Sequence, residues 1–174
     1  MACRGVAMKK PASRNTKSRN TPDRDDCLAM ARLCLSASLR RTERLVTRHY
    51  DAYLADAGVT AVQLPMLASI AAAPEPTFRL LTEQLGVDRS TLSRNLALLE
   101  RLGYVAIGEP SGPKPGPLSL TAKGREALRR AHERWKLAHA ELMSVLDEES
   151  VASGMSFLAK LRDQTRRMER AREA

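Results

Sequence analysis

Leucines recur at three- and four-residue steps between Leu80 and Leu102, and this spacing predicts two short amphipathic helices. Gly86 falls between them and supplies the backbone freedom that a tight turn between two helices requires. Asp88 occupies the expected N-cap of the second helix, and Gly103 follows its expected end. The pattern therefore predicts a helix-turn-helix in this part of the chain.

Apolar stripes predict further helices on both sides of this motif. One face stays apolar from about Asp26 to Ala57, which predicts a single long helix that Gly58 ends. Thr60 and Gln63 have the spacing of a capping box, so we expect a shorter helix from Ala61 to about Ala72. Two more helices are predicted near the carboxyl end: one from Thr121 to about Leu146, whose apolar stripe includes Leu137 and Val145, and one from about Glu149 to Arg172.

Between the helix-turn-helix and these last helices, the pattern becomes that of short strands. Tyr104–Ile107 and Leu118–Leu120 are β-prone runs, and the Pro- and Gly-rich segment GEPSGPKPGP separates them. A β-hairpin that directly follows a helix-turn-helix is called a wing. The sequence predicts a mainly α fold with a small β wing, in which a winged helix-turn-helix module is flanked by long N- and C-terminal helices.

The net charge of +9 over 174 residues indicates an acidic partner, and most of this charge lies at the amino end. Residues 1–24 hold seven basic residues against one acid, so +6 of the total belongs to a segment that is rich in Ser, Thr, Asn and Pro. We expect this basic tail to be disordered. The rest of the chain carries only +3 and must therefore bind through the placement of its charges.

The second helix of the motif presents polar side chains opposite its leucines, and it has no acid between residues 89 and 99. Arg can donate two hydrogen bonds to guanine, and Asn can pair with adenine in the major groove. Hydroxyl groups and the helix N-terminus are suited to phosphates. We therefore expect this helix to enter the major groove of double-stranded DNA, and the candidate DNA-binding residues are Arg89, Ser90, Thr91, Arg94 and Asn95.

Other classes of function find little support. The chain has no G-x-S-x-G motif, phosphate loop or paired-carboxylate site, so we expect no enzyme and no cofactor. His132 and His139 lack a third ligand at the turn between them, so we expect no metal site. No apolar run has the length of a secretion signal or membrane span, which predicts a cytoplasmic protein without a membrane partner.

Three segments closely resemble the MarR family of winged-helix transcriptional regulators: GVTAVQLPML, LTEQLGVDRSTLSRNLALLERLGYV and LSLTAKGREAL. They occur in the order and at the spacing of that family, and the resemblance extends from about Cys27 to Leu161. It implies a homodimer that binds a pseudo-palindromic operator, in most members as a repressor. It also implies release from DNA by a small aromatic or phenolic effector, or by cysteine oxidation.

The resemblance also assigns residues. Lys114 falls where the family's wing carries an arginine, and it can still neutralise a phosphate or enter the minor groove. The family's ligand cleft lies between the dimerisation helices and the DNA-binding module. Its position points to four candidate ligand-binding residues: Arg48, His49, Tyr50 and Leu64.

Two alternatives stay open. In a redox-sensing regulator of the same fold Cys34 is the candidate, although the position of the reactive cysteine in the peroxide-sensing branch falls on Ser36. In an architectural DNA-binding protein the basic tail would dominate binding.

The predicted elements give four segments. Apolar stripes on the terminal helices exceed what the winged module can cover, so we expect a second copy to cover them. The segments are a disordered basic tail at 1–24, an N-terminal dimerisation helix at 25–59, a winged helix-turn-helix DNA-binding module at 60–121 and C-terminal dimerisation helices at 122–174.

Overall fold

A computed structural model describes residues 22–110 and 116–173, and over these residues it confirms a mainly helical fold with a two-stranded wing. Lys114 and residues 1–21 of the basic tail lie outside the described residues. The chain divides into two compact units between Arg41 and Thr42. No helix in the described ranges is long and apolar enough to cross a membrane. The elements are α1 (Arg24–Leu33), α2 (Leu35–Leu54), a 3-10 turn (Ala55–Ala57), α3 (Gln63–Ala72), α4 (Phe78–Leu85), α5 (Arg89–Arg101), β1 (Val105–Ile107), β2 (Leu118–Leu120), α6 (Ala122–Ser144) and α7 (Glu148–Glu173).

The predicted single helix from Asp26 to Ala57 is wrong, because the chain forms α1 and α2 in its place. The backbone is extended at Cys34, with φ −69° and ψ 102°, and α2 begins at the next residue. The start of α1 is also earlier, since Asp23 and Asp26 form a reciprocal capping box. No side chain of α1 is buried in the described chain.

The start of α3 follows the predicted capping box, although the helix begins at Gln63, two residues later than expected. The Thr60 amide donates to Oε1 of Gln63 at 3.1 Å, and the Gln63 amide donates to Oγ1 of Thr60 at 3.3 Å. With this start, Pro65 lies in the first turn, where an amide has no partner within the helix. Its ring is therefore tolerated. Gly58 ends the preceding turn in the left-handed conformation, as predicted.

The helix-turn-helix consists of α4 and α5. Thr77 caps α4, since its Oγ1 accepts from the Leu80 amide at 3.1 Å. Gly86 has a φ of +66° and makes the turn, and Asp88 is the N-cap of α5 as the sequence predicts. Three leucines of α5, at 92, 96 and 99, have no exposed surface. The apolar face of α5 is therefore held in the core, and its opposite face is turned to solvent.

The wing begins at the end of α5 and returns to the start of α6. Gly103, at φ +74°, turns the chain, and the Tyr104 amide donates to the Leu99 carbonyl at 2.9 Å in a Schellman arrangement. Strands β1 and β2 are antiparallel, with Val105 opposite Leu120. Thr121 caps α6, and its hydroxyl also donates to the Gly103 carbonyl at 2.6 Å. The wing base, the end of α5 and the start of α6 are thus fixed together.

Small residues form the buried face of α6, in contrast to the predicted stripe of large ones. Leu137 and Val145 are 53% and 76% exposed. A Cβ atom added at Gly124 would collide with the Tyr104 backbone, so α6 passes the wing at a distance that only glycine permits. The buried residues of α6 are Gly124, Ala127, Ala131 and Ala138.

Helix α7 buries no residue within the described chain. Its one hydrogen bond to the helix-turn-helix runs from Nη2 of Arg166 to the Glu83 carbonyl at 3.0 Å, near the end of α4. Several of its large apolar side chains stay exposed, among them Met155, Phe157 and Leu158.

Candidate nucleic-acid interface

The first two turns of α5 bring the five predicted DNA-binding side chains together on one surface. Arg89, Ser90 and Arg94 are exposed, and Thr91 and Asn95 are half-buried at the edge of the core. Lys114 of the predicted wing contact lies outside the described residues. Two guanidinium groups, two hydroxyls and one amide therefore share the end of the helix whose free amides favour anions.

Asp88 organises the hydroxyl groups of this surface. Its Oδ1 accepts from the Thr91 amide at 2.8 Å and from the Ser90 hydroxyl at 2.5 Å. Its Oδ2 accepts from the Thr91 hydroxyl at 2.7 Å. These bonds, with that from the Ser90 hydroxyl the largest contribution, hold the pKa of Asp88 well below its usual range. The carboxylate is thus ionised whenever the protein is near neutral pH.

The two residues best suited to contact bases are also tied to Thr91. Nη2 of Arg94 donates to Oγ1 of Thr91 at 3.2 Å, and Nδ2 of Asn95 donates to the Thr91 carbonyl at 2.9 Å. The sequence identified these residues as DNA-binding candidates, but it did not reveal that they are linked. The spacing of three between Asp88, Thr91 and Arg94 is the signal that could have shown it.

The candidate ligand residues do not converge on one site. His49 and Tyr50 contact α6, where Nε2 of His49 lies 2.8 Å from the Ala138 carbonyl and the Tyr50 hydroxyl lies 3.0 Å from Nδ1 of His139. Arg48 is exposed and lines a shallow hollow with Glu43, Arg44 and Thr47. Leu64 alone of the four lines the larger cleft described next.

A cleft of about 690 Å³ lies between α3 and α6. Its walls are mainly apolar, with Leu64 and Ala68 on α3 and Leu128 on α6. Trp135 also lines it, and this indole stacks on His139 with 4.8 Å between ring centroids and 11° between planes. Sequence reasoning did not assign Trp135 to the site. Polar groups at the cleft come from Arg125, Arg129 and His132.

The guanidinium groups at the cleft already have partners. Nη1 of Arg125 donates to the Leu120 carbonyl at 2.7 Å. Arg129 makes two hydrogen bonds to Glu126, at 2.7 and 2.8 Å, and this contact is the main cause that lowers the pKa of Glu126. His132 stacks on Trp135, with 6.0 Å between centroids. The cleft thus combines a flat aromatic surface with positive charge at its rim.

Cys34, the candidate redox residue, is exposed, as is Cys27. Both line an apolar hollow of about 820 Å³ whose other members include Met30 and Leu33. All of these residues belong to the N-terminal unit.

Comparison with known proteins places this geometry in a family. The model of the MarR family matches residues 57–114. The chain is similar to the M. tuberculosis transcriptional regulator MosR, with 34% identity over 75% of this chain and 96% of that one, and a TM-score of 0.64. MosR in complex with DNA gives 31% identity over 76% of this chain and 98% of that one, and a TM-score of 0.68.

A more distant relative has the same architecture. A cysteine-to-serine variant of MarR from E. coli, complexed with operator DNA, shares 26% identity over 77% of this chain and 97% of that one, with a TM-score of 0.67. No curated relative matches the chain. Regulators of this kind are not enzymes, in agreement with the prediction from the sequence. The chain belongs to the MarR family of winged helix-turn-helix transcriptional regulators.

Proposed function

We propose that this regulator is a homodimeric repressor that binds a pseudo-palindromic operator through the N-terminal half of α5. The observation that carries the proposal is the surface of Arg89, Ser90, Thr91, Arg94 and Asn95, which is presented opposite three buried leucines. The DNA complexes of MosR and MarR support it, and so does CouR, a transcriptional repressor of 25% identity bound to a DNA duplex.

The roles of these side chains follow from their chemistry. Arg94 and Asn95 contact base edges in the major groove, since guanidinium and amide groups match guanine and adenine. Arg89 and the amides of the first turn face phosphates, and Ser90 presents the lone pairs of its hydroxyl to base amino groups beside Arg94. Lys114 of the wing neutralises a phosphate on the flank. Residues 1–24, with a net +6, add affinity for all DNA alike.

The dimer is supported by apolar side chains that stay exposed in one copy. On α7 these include Phe157 at 51% and Met155 at 64%, and on α1 they include Met30 at 61%. Exposed apolar area of this kind marks an interaction surface. A second copy would cover it and would place two recognition helices on successive half-sites, about one duplex turn apart.

An effector is proposed for the cleft between α3 and α6. Leu64, Ala68 and Leu128 offer apolar walls, Trp135 offers a stacking surface, and Arg125, which bonds a carbonyl oxygen and not a carboxylate, offers a cation beside them. These features suit a small aromatic or phenolic acid. His49 and Tyr50 act indirectly, because they bond α2 to α6, the helix that lines the cleft. Arg48 lies in a different hollow and is not part of this proposed site.

The test of the proposed function is selection of DNA from the protein's own genome, followed by footprinting in competitor DNA. A repressor yields one palindromic motif, keeps its footprint in excess random duplex and loses that preference on Arg94→Ala. Deletion of residues 1–21 should weaken binding to all DNA alike and flatten its dependence on salt. The alternative, an architectural protein, would yield no motif, and it would lose binding chiefly on deletion of the tail.

A further inference from the structure

The hydroxyl group of Thr91 lies between an anion and a cation. Oγ1 of Thr91 is 2.7 Å from Oδ2 of Asp88 and 3.2 Å from Nη2 of Arg94. A threonine hydroxyl has one hydrogen to donate and two lone pairs to accept with. Since a carboxylate can only accept and a guanidinium can only donate, the hydrogen points to Asp88 and a lone pair receives Arg94. The three side chains form a directed chain of hydrogen bonds.

The direction of these hydrogen bonds determines which donors and acceptors the surface presents to DNA. The Ser90 hydroxyl also donates to Asp88, at 2.5 Å, so both hydroxyls beside Arg94 have committed their hydrogens to one carboxylate. Toward a duplex they present lone pairs, which attract the amino groups of bases and repel phosphate and carbonyl oxygens. The negative charge of Asp88 repels phosphates as well. The arrangement disfavours DNA in general and leaves Arg94 as the donor of this cluster.

The same chain restrains Arg94. A long exposed guanidinium samples many rotamers, and ordering it on binding opposes the contact. In the unbound protein, the bond to Thr91 holds Nη2 of the Arg94 guanidinium group in place. The charge-assisted bonds to Asp88 in turn hold Thr91. Helix capping needs only the bond from the Thr91 amide, so the Thr91 hydroxyl can be removed while the N-cap of α5 stays in place.

We propose that Asp88, acting through the Thr91 hydroxyl, is a positioning residue that orients Arg94 and thereby sets the sequence discrimination of α5. The proposal rests on the proposed function, since it concerns the same contact with DNA. It adds that discrimination depends on a residue that is acidic and that itself repels the ligand.

The experiment measures the affinity ratio of the full-length protein for its selected operator and for a random duplex, by fluorescence anisotropy at one fixed salt concentration. Asp88→Asn keeps a good N-cap but removes the charge, and Thr91→Val removes only the hydroxyl. Both should lower the ratio about tenfold, and Asp88→Asn should also raise affinity for the random duplex. Thr91→Ser restores the hydroxyl and should restore the ratio.

A double-mutant cycle separates positioning from a merely structural role. In the Arg94→Ala background, neither Asp88→Asn nor Thr91→Val should lower the ratio further, because the oriented group is gone. Asp147→Asn is the matched control, since Asp147 caps α7 with the same bonds, from the amide and hydroxyl of Ser150 at 2.7 Å each. It should leave the ratio unchanged. Circular dichroism melts of every variant report helix stability.

Three results would overturn the proposal. The first is that Asp88→Asn or Thr91→Val lowers the affinity ratio further in the Arg94→Ala background, and the second is that the ratio of Thr91→Ser is no higher than that of Thr91→Val. The third is that the affinity ratio of the variants falls only in proportion to their melting temperatures. Failure of the proposed function looks different. In that case the unmodified protein itself selects no operator, and its affinity ratio is near one.

Discussion

The hydroxyl of Tyr50 on α2 meets Nδ1 of His139 on α6 at 3.0 Å, a contact between residues 89 positions apart in the chain. His139 in turn stacks on Trp135, which lines the cleft between α3 and α6. Burial also raises the pKa of Tyr50, so the phenol stays protonated near neutral pH. Tyr50 therefore connects α2 with the aromatic wall of the proposed effector cleft.

The first prediction concerns this contact. Tyr50→Phe removes the hydroxyl and leaves Nδ1 of His139 without that partner, so we expect a loss of ~1 kcal/mol in the free energy of unfolding. Trp135 is the only tryptophan of the chain, and its fluorescence reports both unfolding and the stack with His139. Tyr53→Phe is the control, because the Tyr53 hydroxyl bonds an exposed carboxylate, that of Glu141. A larger loss for Tyr53→Phe would contradict the expected role of Tyr50.

The second prediction concerns a close approach of α6 to the wing. Gly124→Ala places a Cβ atom against the Tyr104 backbone, and relief of this overlap should cost ~1–3 kcal/mol of stability. Gly154→Ala is the control, because a Cβ atom there meets nothing within 4 Å. In the interior of α7 alanine should instead stabilise by up to ~1 kcal/mol. Urea unfolding should show that Gly124→Ala lowers the free energy of unfolding and that Gly154→Ala raises it. Equal changes in the two variants would show that α6 does not constrain the wing.

The parts of the fold that the sequence predicted are those decided by local interactions. Asp88, Gly86 and Gly103 each act within a few residues of the chain, as a cap, a turn and a C-terminal stop. The capping box of Thr60 and Gln63 is equally local. For this reason the helix-turn-helix and the start of the wing could be placed from the sequence alone.

The remaining features depend on tertiary packing, which the hydrophobic pattern does not report. The break at Cys34 has neither proline nor glycine beside it. The buried face of α6 consists of Gly124 and alanines because α6 runs close to its neighbours, whereas Leu137 was expected inside. The contacts of Tyr50 join segments far apart in sequence, so the assembly of the cleft could not be foreseen.

The third prediction concerns pH. Hydrogen bonds from Ser150 lower the pKa of Asp147 from its ordinary value of 3.8. The bond from the Ser150 hydroxyl contributes most, and the bond from the Ser150 amide is the next largest cause. A carboxyl group whose pKa is lower in the folded state than in the unfolded state stabilises the fold when it is ionised. This stabilisation is fully present at a pH above the unfolded-state pKa, and it is lost as the pH falls through the folded-state pKa. Stability from this cap should therefore hold from neutral pH to about pH 4 and decline below it.

The measurement is the free energy of unfolding against pH for the native protein and for Asp147→Asn. The difference between the two curves should shrink as the pH falls below about 4, because asparagine does not titrate. A difference that stays constant down to pH 2 would show that the Asp147 carboxylate does not stabilise α7 through its charge.

The last prediction concerns the effector. A benzoate-like or phenolic acid in the cleft should quench Trp135 and release the operator, because it contacts a wall that is bonded to α2 through His139 and Tyr50. Release requires tighter binding to the state that does not bind DNA, and a difference of ~1.4 kcal/mol weakens operator binding about tenfold. Fluorescence anisotropy of labelled operator, titrated with a panel of such acids, measures this shift.

Two variants locate the site of the effector. Ala68→Phe fills the cleft from an exposed position on α3 and should abolish both quenching and release, whereas Arg48→Ala, in a separate hollow, should leave both intact. The reverse result would move the site to the hollow of Arg48. If no aromatic acid acts but mild peroxide releases the operator, and Cys34→Ser prevents this, the regulator responds to oxidation through an exposed thiol. Tryptophan quenching separates the two mechanisms, because an aromatic acid in the cleft quenches Trp135 directly, whereas oxidation of Cys34 puts no ligand in that cleft.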